Sequence, residues 1–433
     1  MSDSSDKSIV QNVEYSATAD SSNTKTSKLS GSLLVAAITS VCSSGFLLFG
    51  YDQGVMSGVV ISQYWLAQMS NPSTIMISTI TALYDVGAVF GAIGAAVVGD
   101  RLGRKRTLML GCIVLIVGSV LMAACFERIQ MMFGRVLTGI GIGFITSVTP
   151  VYQSEISPAA QRGWQVCCQL TTMLFGLMLA YWINYGFFYQ QSSVQWRFPL
   201  AFQMVFAIYC IGVTIFLPDT PRWLLRYGSS PDEGARILAR LRDKAVDHPS
   251  VQKEKNEIAD AIKIESHEEG SWLDLFRDAG IAVDKRFYLA LGIQFMQQMS
   301  GWMATVWCYP PEILPLKIRA KGAALAAAAD FLGNFVVVEI TPPALRNIGY
   351  KTYVIFAVFN IVNAMIVWAF YPETAGSTLE SIDFLFTNTD ELNTPKPFYH
   401  MLQWSVVYQA PEVMRQLQTK RDSLAADQTV AEA

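Results

Sequence analysis

The chain alternates long apolar stretches with short polar breaks, and the stretches have the length of a bilayer crossing. An α-helix rises 1.5 Å per residue, so about 20 apolar residues span the hydrocarbon core. Six such runs fill the first half, at roughly 32–54, 77–98, 107–126, 131–152, 164–187 and 199–217. Three more follow near 287–309, 322–341 and 352–371. The pattern predicts an all-α polytopic membrane protein. Polar sequence divides it further. Residues 1–31, rich in Ser, Thr and Asp, predict a disordered tail, and 32–217 a six-helix bundle. Residues 218–286 predict a linker with short helices, 287–371 a second and shorter bundle, and 372–433 a polar tail.

Composition removes the soluble alternatives. Charged residues make up 15% of 433 and apolar residues 52%, too little charge to coat soluble domains, which usually carry about 25%. A net charge of −3 offers no basic field, so nucleic acid is not an expected partner. The histidines (His248, His267, His400) show no metal-ligand spacing, and most of the seven cysteines sit in apolar runs as buried small hydrophobes. With no nucleophile–base pair, metal cluster or phosphate loop, the sequence predicts neither an enzyme nor a cofactor.

Orientation follows from lysine and arginine in the short loops. Arg101, Arg104, Lys105 and Arg106 follow the second run, Arg162 the fourth, and Arg222 and Arg226 the sixth. The alternate loops carry only Arg128 and Arg197. The expected N-terminus is therefore cytoplasmic, with six crossings in the first half.

The chain also repeats itself. Tyr152-x-x-Glu155-Ile156-x-Pro158-x-x-x-Arg162 recurs as Tyr309-x-x-Glu312-Ile313-x-Pro315-x-x-x-Arg319, and Pro218-Asp219-Thr220 as Pro372-Glu373-Thr374. Two parallel repeats joined by a linker is a transporter plan. The halves are unequal, however. From the start of the first run to Tyr152 is 120 residues, and from 287 to Tyr309 only 22, so about 98 residues (three spans) have no counterpart. If 287–309 crosses once, Lys317, Arg319 and Lys321 land outside, against the charge rule. If it enters and turns near Ser300-Gly301, they stay inside. Both readings stand at this level.

Several motifs together resemble the sugar porter branch of the major facilitator superfamily, the fungal hexose and related sugar transporters in particular. They are Gly99-Asp100-Arg101-Leu102-Gly103-Arg104-Lys105-Arg106, Gly50-Tyr51-Asp52-Gln53-Gly54, Gly134-Arg135 with Gly139, Gly141 and Gly143, and Pro218-Asp219-Thr220-Pro221-Arg222-Trp223. Gln297-Gln298-Met299-Ser300-Gly301 and Pro372-Glu373-Thr374-Ala375-Gly376 continue the series. The resemblance implies a major facilitator fold with an intact six-helix N-terminal half and a truncated C-terminal half. It implies a multi-pass protein of the plasma membrane that moves a monosaccharide or polyol, with protons as coupling ion.

Asp52 and Arg135 are intramembrane charges, which are costly and usually functional. The resemblance makes them the proton-coupling pair; a permanent salt bridge is the alternative. Asp85, nearer the outer end of its span, is a rival acid. Gln169, Gln297, Gln298, Trp307 and Asn334 match sugar-binding positions, because amides bond hydroxyls in both directions and an indole covers the ring face. Helix-to-helix bonding is the competing reading. Asp100, Arg104, Glu155, Arg162, Glu312 and Arg319 suit a charge network that latches the halves, or charges that only set topology. The glycines at 139, 141 and 143 lie in an apolar run without a preceding strand, so they predict close helix packing and not nucleotide binding, as does Gly87-x-x-x-Gly91. The chain departs from the family pattern where Trp302-Met303 follows the Gln pair, where Ala304-Thr305-Val306 precedes Trp307, and where Asp330 replaces a common Asn. The first two meet near 301–306, which marks that stretch as a deletion junction. A porter-like protein that no longer transports, or a carrier of another metabolite, remains open on that ground.

Overall fold

The computed structural model describes residues 30–157, 162–228, 231–267, 275–276, 283–300, 307, 309–314 and 319–371. Among these residues every regular element is helical. In chain order they are α1 (Gly31–Val59), α2 (Gln63–Gln68), α3 (Thr74–Leu102), α4 (Arg104–Ala123), α5 (Arg128–Ile156), α6 (Arg162–Phe188) and α7 (Val194–Thr214). There follow α8 (Pro221–Tyr227), α9 (Pro231–Arg242), α10 (Pro249–His267), α11 (Val283–Ser300), α12 (Tyr309–Ile313), α13 (Arg319–Ile348) and α14 (Lys351–Phe370). Among the described residues eight helices are long and apolar enough to cross a membrane: α1, α3, α4, α5, α6, α7, α13 and α14.

Glycine lets α3 touch α5, and α1 touch α6, backbone to backbone. A Cβ on Gly139 would overlap the Tyr84 carbonyl, and one on Gly143 the Ala88 carbonyl. From the facing helix, a Cβ on Gly87 would strike the Val136 carbonyl and one on Gly91 the Ile140 carbonyl. The α3–α5 seam is therefore an interlock of small residues, the arrangement that replaces hydrophobic driving force between helices in lipid. Gly50 against Met173 and Gly176 against Leu47 join α1 to α6 in the same way.

The loop between α3 and α4 turns on Gly103, whose φ of +85° suits glycine. Its neighbour in space is Asp219, from the segment after α7. The Asp219 carboxylate accepts from the backbone N–H groups of Arg104 (3.0 Å) and Lys105 (3.4 Å), the first residues of α4. Gly103, the residue at the cap position, has no side chain to offer, so an acid 115 residues away in sequence caps the helix. Burial pushes the Asp219 carboxyl up, while those N–H groups and that of Thr220 pull it down.

The expected span at 287–309 is not one long helix. α11 begins with Asp284, Lys285 and Arg286 near its N-terminus and ends at Ser300. Chain beyond it comes back: Ile313 and Leu314 pack with Val283, Phe287 and Ala290 at the start of α11. The Tyr309 ring lies 5.6 Å from that of Tyr371, whose hydroxyl donates to the Leu289 carbonyl at 3.0 Å. Residues 309–314 thus stand at the depth where α11 began, which agrees with the turn-and-return reading. Residues 301–306, the expected junction, lie outside the described residues, as do 1–29 and 372–433 with the Pro372-Glu373-Thr374 motif.

Cysteine usage needs one correction. Cys42, Cys112, Cys125 and Cys210 are buried, but Cys167 is exposed and Cys168 half-buried on α6. An apolar run in a membrane protein has a lipid side, so apolar neighbours in sequence do not guarantee burial in protein.

Candidate functional site

Asp52 on α1 and Arg135 on α5 meet in the middle of the N-terminal bundle. Arg135 Nη1 lies 3.0 Å from Asp52 Oδ1, and both side chains are sealed from solvent, Asp52 completely. Arg135 also donates from Nη2 to the Thr81 carbonyl (3.1 Å) and lies 4.7 Å over the Tyr84 ring. The glycine interlock of α3 and α5 sets Arg135 beside Thr81 and Tyr84 of α3. Asp52 Oδ2 and Arg135 Nε are buried without a partner, so the pair is a single-contact bridge and not a saturated fork. A bridge with a spare carboxylate oxygen can be opened by one proton.

The C-terminal half presents amides. Gln297 and Gln298 on α11 both donate from Nε2 to Oδ1 of Asp330 on α13, Gln298 at 2.8 Å. One turn further along α13, Asn334 donates to Asp85 on α3 at 2.9 Å. Asp85, expected toward the outer end of its span, is buried at the contact between the two halves. The same seam continues through Thr79 to Glu339 (2.9 Å) and Arg346 to Thr74 (3.2 Å). α3 and α13 run antiparallel along it.

Trp307 sits edge-on to Phe46 and Phe49 of α1, with ring centroids 6.4 and 6.2 Å away, and its Nε1 is buried without a partner. Phe49 also packs against Phe331 at 5.8 Å, so aromatic side chains of both halves meet at α1. Gln169 on α6 is fully buried and donates to Gln153 Oε1 at 3.5 Å. Gln153 in turn reaches Thr39, Ser157 and Gln165.

The structure thus brings Gln297 and Gln298 together and sets Asn334 one turn from their shared acceptor. It places Gln169 in a separate polar cluster and Trp307 against α1. Of the charge-network residues, Arg104 Nη2 pairs with Glu155 at 3.0 Å, joining the α4 start to the α5 end. The side chains of Asp100, Arg162, Glu312 and Arg319 lie outside the described residues. Gln153, Gln294 and Glu339 are polar groups in these clusters that sequence reasoning missed. Glu339 is a lone charge in an apolar run, the kind of signal that marks Asp52, whereas Gln153 stands beside Ser154 and Glu155 and Gln294 just before the Gln pair, where neither stands out.

A helical bundle holding a buried acid–guanidinium bridge, with buried amides in both halves, defines a multi-pass membrane carrier of the major facilitator fold. The chain belongs to the sugar transporter family: the family model described as "Sugar (and other) transporter" matches residues 36–306 and again 301–386. It is a transporter by family and not an enzyme. The break between the matches falls on 301–306, the junction expected from the unequal repeats. The MFS-type transporter oryC of Aspergillus oryzae is 33% identical over 475 aligned positions, covering 85% of this chain and 88% of the relative. Since 85% of 433 residues is about 368, about 107 of the 475 positions hold residues of the relative facing none here. The sugar transporter STL1 of Saccharomyces cerevisiae is 29% identical, covering 84% of each chain. The solved structure of the proton:xylose symporter XylE of E. coli superposes with a TM-score of 0.65 at 20% identity, over 82% of this chain and 99% of that one.

Proposed function

We propose that this chain carries a monosaccharide or related polyol across the plasma membrane by alternating access, coupled to protons, with its N-terminus in the cytoplasm. The observation that carries the coupling is the sealed Asp52–Arg135 bridge with its spare Oδ2. Ionised Asp52 holds Arg135 and ties α1 to α5. A proton on Asp52 removes the charge that holds the guanidinium and frees α1 to move. Gln169, Gln297, Gln298, Trp307 and Asn334 bind the solute, the amides through its hydroxyls and the indole against its ring face. Arg104 with Glu155, together with Asp100, Arg162, Glu312 and Arg319, latches the cytoplasmic ends. STL1 and XylE, named for sugar and xylose transport, support the solute class.

The test is uptake of labelled sugar by the tagged chain in a cell lacking its own hexose carriers. Uptake that rises as the outside is acidified, and loses that rise in Asp52→Asn, is the expected result. A chain delivered to the membrane that takes up no sugar, at any pH, overturns the proposal.

A second reading has an observation of its own: about 107 aligned positions are missing and none of the apolar window of α14 is buried in protein. On that reading the chain binds sugar without moving it. Saturable binding without uptake is its signature.

A further inference from the structure

The amides assigned above to sugar binding share an orientation. Gln297 and Gln298 both turn their nitrogens to Asp330, and Asn334 turns its nitrogen to Asp85. A carboxylate has lone pairs and no hydrogen to give, so an amide that bonds it does so through N–H and must direct its oxygen elsewhere. The orientation is set by the chemistry of the partner. Gln169 in the N-terminal half is a different case: its partner Gln153 is itself an amide, which serves as donor or acceptor alike, so no carboxylate fixes its orientation. Of the carboxylate-held amides, Gln297 leaves a buried oxygen, Oε1, that accepts nothing from the protein, and the same holds for Gln169 Oε1 and for Gln294 Oε1 one turn earlier on α11. All three residues are nearly sealed, Gln297 at 3% exposure. Buried amide oxygens without partners cost free energy unless something donates to them.

We propose that Asp330 and Asp85 are positioning residues that turn the binding amides oxygen-first, so that the site selects its solute through hydroxyl hydrogens. This rests on the sugar-binding reading above and adds to it the polarity of recognition. An amide free to rotate would serve a hydroxyl as donor or acceptor alike. An amide whose nitrogen is held by a carboxylate serves only as acceptor. The ligand class is then a neutral polyhydroxy solute read through its O–H groups, and a substituent that accepts without donating does not replace a contacted hydroxyl.

Equilibrium binding of D-glucose, and of its deoxy and deoxyfluoro analogues at each position, tests this on the purified full chain. Fluorine keeps weak acceptor character and has no hydrogen. At a contacted position the deoxyfluoro analogue is expected to bind as poorly as the deoxy analogue, about tenfold weaker than D-glucose, or about 1.4 kcal/mol. In Asp330→Asn, whose amide can accept or donate, the Gln pair regains its freedom and the deoxyfluoro analogue recovers relative to the deoxy one. Asp330→Glu, which keeps a carboxylate, retains the wild-type ranking. Deoxyfluoro analogues that bind as well as D-glucose overturn the inference while leaving sugar binding intact. So does an analogue ranking that Asp330→Asn leaves unchanged. If Asp330→Asn does not fold, the wild-type series alone decides. Failure of D-glucose, D-xylose and glycerol alike to bind overturns the proposed function, and this inference with it.

Discussion

Asp52 and Arg135 stabilise each other only as a pair. Taking a charge out of water costs several kcal/mol, and its partner and hydrogen bonds must offset that. Arg135→Ala strands the Asp52 carboxyl and is expected to destabilise the chain by about 3–5 kcal/mol, read as a lower midpoint in thermal unfolding of the purified protein. Replacing both, as Asp52→Asn with Arg135→Gln, removes the stranded charge and recovers part of the loss. A double variant no more stable than Arg135→Ala would show that the bridge is not what holds this region. The two residues stand out in the sequence because charge inside an apolar run is rare. The Gln297–Gln298 pair stands out for the same reason. The meaning of Asp330 does not, because its partners lie 32 and 33 residues away on another helix. Asp85 is similar: the apolar run places it by depth but says nothing of Asn334, 249 residues on.

Helices meet here through glycine, and the sequence shows where. Gly139, Gly141 and Gly143, with Gly87 and Gly91, predict close packing, and a Cβ at Gly139 or Gly143 has no room. Gly139→Val is therefore expected to push α3 from α5 and cost at least about 1–3 kcal/mol, with loss of folded yield in detergent. Gly212, with open space around it, is the control; Gly212→Ala should leave yield unchanged. Asp219→Ala removes the cap of α4 and is expected to cost about 0.5–2 kcal/mol, seen as faster proteolysis at the α3–α4 loop. Equal cleavage rates would mean that solvent satisfies those N–H groups as well. The cap was not legible, since it joins two motifs that the sequence shows only separately. For α11 the sequence left a single crossing and a turn near Ser300-Gly301 open, because the apolar run continues past that point and hydropathy alone does not register a turn.

At the scale of the whole molecule, the two-half plan was legible from repeated motifs at matched spacing, and its inequality from the same comparison. The family match broken at 301–306 and the missing alignment positions agree with that arithmetic. The consequence is a lopsided carrier. Six long helices form the N-terminal bundle, and the C-terminal half contributes α11, α13 and α14 around a short return. Against that shape, α6 presents Leu174, Met178, Tyr181, Trp182 and Tyr185 outward, unpartnered by any described helix. A carrier alternates by rocking one half against the other about a midplane site. The seam needed for that motion, α3 against α13, is present and polar. The most direct measurement is proton movement driven by sugar in liposomes containing the purified chain and a trapped pH dye. The account predicts that D-glucose or D-xylose added outside acidifies the lumen, and that Asp52→Asn abolishes the signal while sugar binding persists. Sugar entry with no acidification would contradict proton coupling, and binding with neither entry nor acidification would contradict transport.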